Sequence, residues 1–138
     1  MALITDVTAL AAIRSEWSAV LIVRERMRKL MAGPVGSIPD GALHSVVYNL
    51  PMFLAFNVLE KALRVLKKQR QIPGHSDQLG DLMDIFQGDP SWLERSVLRD
   101  GERRRNAIAH AGELFSGVEC LADIEAVEEQ LRAWEILE

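Results

Sequence analysis

Residues 98–115 read LRDGERRRNAIAHAGELF, and they place three consecutive arginines, an asparagine and a histidine within about two turns of one helix. Asn106 and His110 are four residues apart, so they share a face. Arg99 and Arg103 join the same side. Arg105 stands five residues before His110, about 140° round the helix. It reaches the histidine's neighbourhood by its long side chain, by a local helix distortion, or from a second subunit. A second stripe carries Leu93, Val97, Ile108, Ala111 and Phe115. Arg104 falls within that apolar stripe, which predicts a carboxylate partner or a snorkelling side chain.

The chemistry open to such a set is limited. A histidine titrates near neutral pH and can move a proton. Arginine presents paired donors that match phosphate oxygens and stays charged. Asparagine can orient a base, a water or a phosphate. The inventory suits metal-free phosphodiester cleavage, in which a ribose 2′-hydroxyl attacks the adjacent phosphorus. It does not suit metal chemistry. The chain has three histidines (His44, His75, His110), one cysteine and no metal-ligand spacing. No GxxxxGK[ST] loop, GxGxxG or GxSxG elbow is present. Neither a metal nor another cofactor is therefore expected.

The elements that must position these residues read as helices separated by short breaks. Threes-and-fours spacing of Val7, Leu10, Ile13, Trp17, Val20, Leu21, Met27, Leu30 and Met31 predicts a first helix over 5–32, capped by Thr5 or Asp6. GPVGSIPDG breaks it. A second helical segment spans 40–71, and Pro51 predicts a kink or break near Leu50. A short third helix covers 76–86, with Ser76 as N-cap. The fourth runs over 91–114 and the fifth over 118–137. The fifth carries Leu121, Ile124, Val127, Leu131 and Trp134 on one face and acids on the other. No β-branched alternating run occurs. The expected fold is all-α, an up-and-down antiparallel bundle of four to five helices forming a single domain over residues 1–138.

Composition agrees. The 138 residues are 49% apolar and 26% charged, which excludes wholesale disorder. A chain of this length buries roughly 68% of its unfolded surface and can build a core without staples. Cys120 is the only cysteine, so no intrachain disulfide forms, and a reducing compartment is expected. The first residues lack the pattern of a signal peptide, and no apolar run is long enough for a membrane span. A cytoplasmic location with no membrane partner is expected. Net charge is −4, distributed unevenly: residues 113–138 hold eight acids and one base, while residues 1–112 carry a net +3. A broad basic field for nucleic acid is absent, so any polyanion contact is local, at Arg103-Arg104-Arg105. Trp17, Trp92 and Trp134 fit core stripes better than base-stacking platforms, because no basic run interleaves them.

Arg105-Asn106-Ala107-Ile108-Ala109-His110 resembles the Arg-polar-x-x-x-His motif of the HEPN superfamily of small helical bundles. Residues 56–63, FNVLEKAL, are similar to that family's second-helix pattern. His75 followed by Leu79 and Leu82 resembles the start of its short middle helix. The pattern covers residues 43–137, with the six-residue motif as its specific part. The resemblance implies a metal-independent endoribonuclease, a toxin or defence protein, working on RNA as a homodimer with a composite site at the interface. It also implies an antitoxin or nucleotidyltransferase partner. On that basis Arg105, Asn106 and His110 are the expected catalytic residues: Arg105 on the scissile phosphate, Asn106 positioning groups, His110 as general acid or base. Arg99, Arg103 and Arg104 are the expected substrate-binding residues. The alternative is a catalytically inactive HEPN-like module that binds a partner protein, RNA or nucleotide; a plain helical-bundle regulator is a third reading. In the plainest terms, the same residues form a solvated helix face with a capped or buried histidine. Dimer geometry separates these readings, because the enzyme needs two His110 side chains facing one another across a cleft.

Overall fold

The computed structural model describes residues 3–32, 47–74 and 76–138. Five helices and no strand occur among them: α1 (Val7–Met31), α2 (Asn49–Gln69), α3 (Leu79–Ile85), α4 (Arg95–Ala111) and α5 (Gly117–Ala133). The GPVGSIPDG break, residues 40–46 of the expected second segment, His44 and His75 lie outside the described residues. No described helix is long and apolar enough to cross a membrane.

Asp6 starts α1. Its Oδ1 accepts from the backbone N–H groups of Thr8 and Ala9 at 2.9 and 3.1 Å, satisfying two donors with no partner inside the helix. Ile13, Trp17 and Val20 form the buried stripe, whereas Val7 and Leu30, expected on it, are exposed at the two ends. Pro51 neither kinks nor divides a helix within the described residues. It is the third residue of α2, where its missing N–H is one the first turn leaves unpaired anyway. Ser76 does not cap α3. Gln78 occupies the cap position, and the Ser76 hydroxyl instead donates to Asp81 and accepts from the Gln78 N–H. Ser116 caps α5 by accepting from the Glu119 N–H at 3.3 Å, while Glu119's carboxylate accepts from the serine hydroxyl.

α2 is the hub and touches each of the other four helices. Met52, Ala55, Phe56, Leu59, Ala62, Leu63 and Leu66 are fully enclosed along it. Thr5 meets Gln69 and Glu16 pairs with Lys61, so α1 runs antiparallel to α2. Leu93 meets Gln130 and Arg104 meets Asp123, so α4 runs antiparallel to α5. The core closes with Ile124, Val127, Leu131 and Trp134 of the last helical segment. Leu121, expected on that face, is exposed, and Cys120 takes the enclosed place. The tryptophans belong to this core. The rings of Trp92 and Trp134 meet edge to face at 4.9 Å, and each indole N–H has an acceptor, Phe86 O and Ser91 O.

α4 packs differently from its neighbours. Its buried residues are Leu98, Gly101 and Glu102, not the stripe of Leu93, Val97, Ile108, Ala111 and Phe115 that periodicity selects. Leu93 is 59% exposed and Ala111 is exposed; the other three are half-buried. Gly101 decides this. A Cβ there would lie 2.3 Å from Cζ of the Phe56 ring, so only glycine lets α4 approach α2 this closely.

Two predictions follow from this packing. Gly101→Ala gains about 1 kcal/mol of helix propensity but forces the enclosed Phe56 ring to move, and a net loss of about 1–3 kcal/mol is expected in urea denaturation. Adding Phe56→Leu should recover part of that loss, which a double-mutant cycle reads directly. Separately, burial pushes the Cys120 thiol up to about 12, helped by the nearby carboxylates of Asp123 and Glu119. An unfolded thiol ionises near pH 8.5. The unfolded state therefore loses its proton first, and stability should fall as pH rises from about 9 towards 12. Cys120→Ala should flatten that slope.

Candidate functional site

A cleft of about 470 Å³ opens between α2, α3 and α4. α2 contributes Phe53 and Glu60, α3 contributes Leu79, Gly80 and Asp81, and α4 contributes Arg99, Glu102, Arg105, Asn106 and His110. Two buried amide side chains fix the approaches to the helix that carries most of these. Before α4, Gln130 accepts from the Leu93 N–H at 2.8 Å and donates to Ser91 O at 3.3 Å. Beyond its other end, Asn49 donates to Phe115 O at 2.8 Å and accepts from the Phe115 N–H at 2.9 Å. Gly112, at φ 66°, closes α4 two residues after His110 in the left-handed conformation that glycine adopts at little cost.

A continuous polar chain lines the cleft. Asn106 Nδ2 donates to Glu102 Oε1 at 2.7 Å, and Asn106 Oδ1 accepts from Arg105 Nη1 at 3.2 Å. Arg105 Nη2 donates to Asn57 Oδ1 at 3.0 Å and to Glu60 Oε2 at 2.6 Å. Arg64 holds the other Glu60 oxygen. The Arg105 guanidinium also lies over the Phe53 ring, 5.6 Å from its centroid, and only 15% of the side chain is exposed. Its Nε–H is enclosed without a partner among the described residues. Arg105 is thus tied across to α2 and fixes the amide of Asn106 beside it. Arg99 donates to Gly80 O at 2.7 Å and lies 3.4 Å from an Asp84 oxygen, holding α3 against α4. His110 is exposed at the rim, and no described residue hydrogen-bonds to its ring.

Four of the six sequence-selected residues therefore meet in one cleft: Arg99, Arg105, Asn106 and His110. Arg103 and Arg104 do not line it. Arg103 follows Gly101 by two residues, about 160° round the helix, so it points away from α2. Its side chain is 70% exposed, 3.3 Å from Asp100. Arg104 turns to α5 and grips the 1%-exposed Asp123 with two bonds, Nε to Oδ2 at 2.8 Å and Nη2 to Oδ1 at 2.6 Å. Of the two outcomes the sequence pattern left open, a carboxylate partner or a snorkelling side chain, the structure has the first. The carboxylate holds the guanidinium charged, above arginine's already high range.

Glu102, Glu60, Asn57 and Phe53 carry no role in the sequence reading. For Glu102 a signal exists: Glu102, Asn106 and His110 recur at four-residue spacing and so share a face. For the α2 residues nothing local shows that they meet Arg105, 45 to 52 positions further along. Among the described residues no three His, Cys, Asp or Glu side chains lie together as metal ligands.

Arg104→Ala leaves Asp123 enclosed without its ion partner. A loss of about 3–5 kcal/mol is expected in chemical denaturation. Asn49→Ala strands both backbone groups of Phe115, and a loss of about 1–3 kcal/mol is expected.

No protein-family model matches this chain. Neither a curated protein nor a solved structure matches it.

Proposed function

We propose that the chain is a metal-independent endoribonuclease of the HEPN type, a candidate toxin or defence protein that works as a homodimer. One observation carries the reading: Arg105, Asn106 and His110 of the motif line one cleft, and His110 is exposed with no hydrogen bond to its ring among the described residues. A histidine so placed is free to exchange a proton with a substrate hydroxyl. In the proposed reaction a ribose 2′-hydroxyl gives its proton to an imidazole as its oxygen bonds to phosphorus. The P–O5′ bond breaks, and a protonated imidazole, from His110 of the partner subunit in the dimer, supplies the proton to the leaving 5′-oxygen. Products are a 2′,3′-cyclic phosphate and a 5′-hydroxyl. Asn106, held between Glu102 and Arg105, is a fixed polar group beside the reacting atoms. Arg105 serves this arrangement from a largely enclosed position, as an anchor of Asn106.

A second reading is a catalytically silent module that binds a protein, RNA or nucleotide. The Arg105–Glu60 pair favours it, because a guanidinium already held by a carboxylate has fewer donors left for phosphate.

The two readings separate on labelled RNA in EDTA. The ribonuclease should cleave, leave 2′,3′-cyclic phosphate ends, and lose roughly 10²–10⁴-fold in rate in His110→Ala. His110 is the decisive position, since its exposed side chain can be removed without disturbing the core. Arg105→Ala also cuts the tie to α2, so its effect on activity has to be read beside its stability. No cleavage of several RNAs by a folded dimer assigns the silent module.

A further inference from the structure

The cleft contains a carboxylate that the ribonuclease reading uses only to hold Asn106. Glu102 is only 6% exposed, yet it lines the cleft. Its Oε1 accepts from Asn106 at 2.7 Å, which fixes the side chain. Its Oε2 has no partner among the described residues and is not one of the enclosed unsatisfied atoms, so it opens to the cleft. The wall facing it is Gly80, where a Cβ would lie 2.8 Å from Oε1. Absence of a side chain at position 80 keeps the carboxylate's approach clear.

A fixed carboxylate repels phosphate and accepts hydrogen-bond donors. On single-stranded RNA the donors are on base edges, and unstacked bases are read there while they rest on aromatic rings or guanidinium planes. The cleft is lined by groups of both kinds, the half-buried Phe53 ring and the Arg105 guanidinium that overlies it. Its volume of about 470 Å³ is within the range that accepts a small-molecule-sized group. Glu102 lies eight residues before His110 on the same face, about 12 Å along the helix axis. A strand that has its phosphate at His110 and runs back along α4 brings a base close to the cut over Glu102.

We infer that Glu102 is a specificity-determining residue that reads an RNA base through its amino edge, with guanine preferred. Guanine presents N1–H and N2–H side by side to one carboxylate, whereas adenine and cytosine offer a single amino group and uracil only an imide N–H. Each carboxylate oxygen has two lone pairs, so Oε1 can take a second donor while it keeps Asn106. The inference rests on the ribonuclease reading.

The test maps the 2′,3′-cyclic phosphate ends left on a mixed-sequence RNA by the full chain and by Glu102→Gln. Guanine is expected to be enriched beside the cut for the wild type. In Glu102→Gln that enrichment should fall roughly tenfold, the scale of one lost paired contact to a base. A purely structural role would lower the overall rate without moving the base preference. Cutting without guanine enrichment, or enrichment unchanged in Glu102→Gln, overturns this inference and leaves the ribonuclease reading intact. Absence of cutting by the wild type overturns both. If Glu102→Gln does not fold, Gly80→Ala takes its place: its Cβ crowds Oε1, and the same loss of enrichment is expected, with unchanged enrichment again overturning the inference.

Discussion

The contact between Gly101 and the Phe56 ring governs the geometry of the candidate site. A hydrogen in place of a methyl group brings α4 against α2, and the consequences run along the helix. One turn on, Arg105 comes within bonding distance of Asn57 and Glu60. Arg105 in turn orients Asn106, and Asn106 orients Glu102. On its α5 side, a Cβ at Gly101 would lie 3.2 Å from Asp123 Oδ1, the oxygen that Arg104 Nη2 holds. A wider spacing between α2 and α4 would break the Arg105 bonds to Asn57 and Glu60, because their lengths allow little slack.

α4 is held by polar contacts more than by apolar burial. Leu98 is its only large apolar residue in the core. The helix is fixed instead by ion pairs to α2, α3 and α5 and by the Gln130 and Asn49 amides that secure the chain on either side of it. Such contacts demand particular directions, which apolar burial does not. They place the polar groups of the cleft within narrow limits. They also leave those groups vulnerable, since removal of one partner strands the other in a low-dielectric setting.

This organisation places the arginines in three different situations. Arg104 and Arg105 are committed to carboxylates within the chain, Arg99 joins α3 to α4, and Arg103 remains in solvent. The cleft is accordingly mixed in charge, with Glu60 and Glu102 beside Arg99 and Arg105. Under the proposed reading, proton transfer falls to His110, and the arginines act by holding the groups around it.

The helical class, the approximate bounds of α1, α4 and α5 and the shared face of Asn106 and His110 were legible in the sequence, because they depend on local periodicity and caps. That Arg104 has either a carboxylate partner or a snorkelling side chain was legible for the same reason, because it stands on an apolar stripe. Which carboxylate, and which face of α4 would be buried, were not. Periodicity selected the stripe through Val97 and Ile108, whereas the structure buries Leu98, Gly101 and Glu102. Hydropathy cannot foresee that a glycine will admit a ring from another helix, or that a buried glutamate will be held by an asparagine one turn away. Arg105's tie to Glu60 spans 45 residues of sequence, and only packing brings those side chains together. The sequence by itself determined the elements and the chemical inventory, because both are properties of short windows. Tertiary structure decided which charges neutralise one another and which face the cleft, because those depend on distances between helices that no local pattern contains.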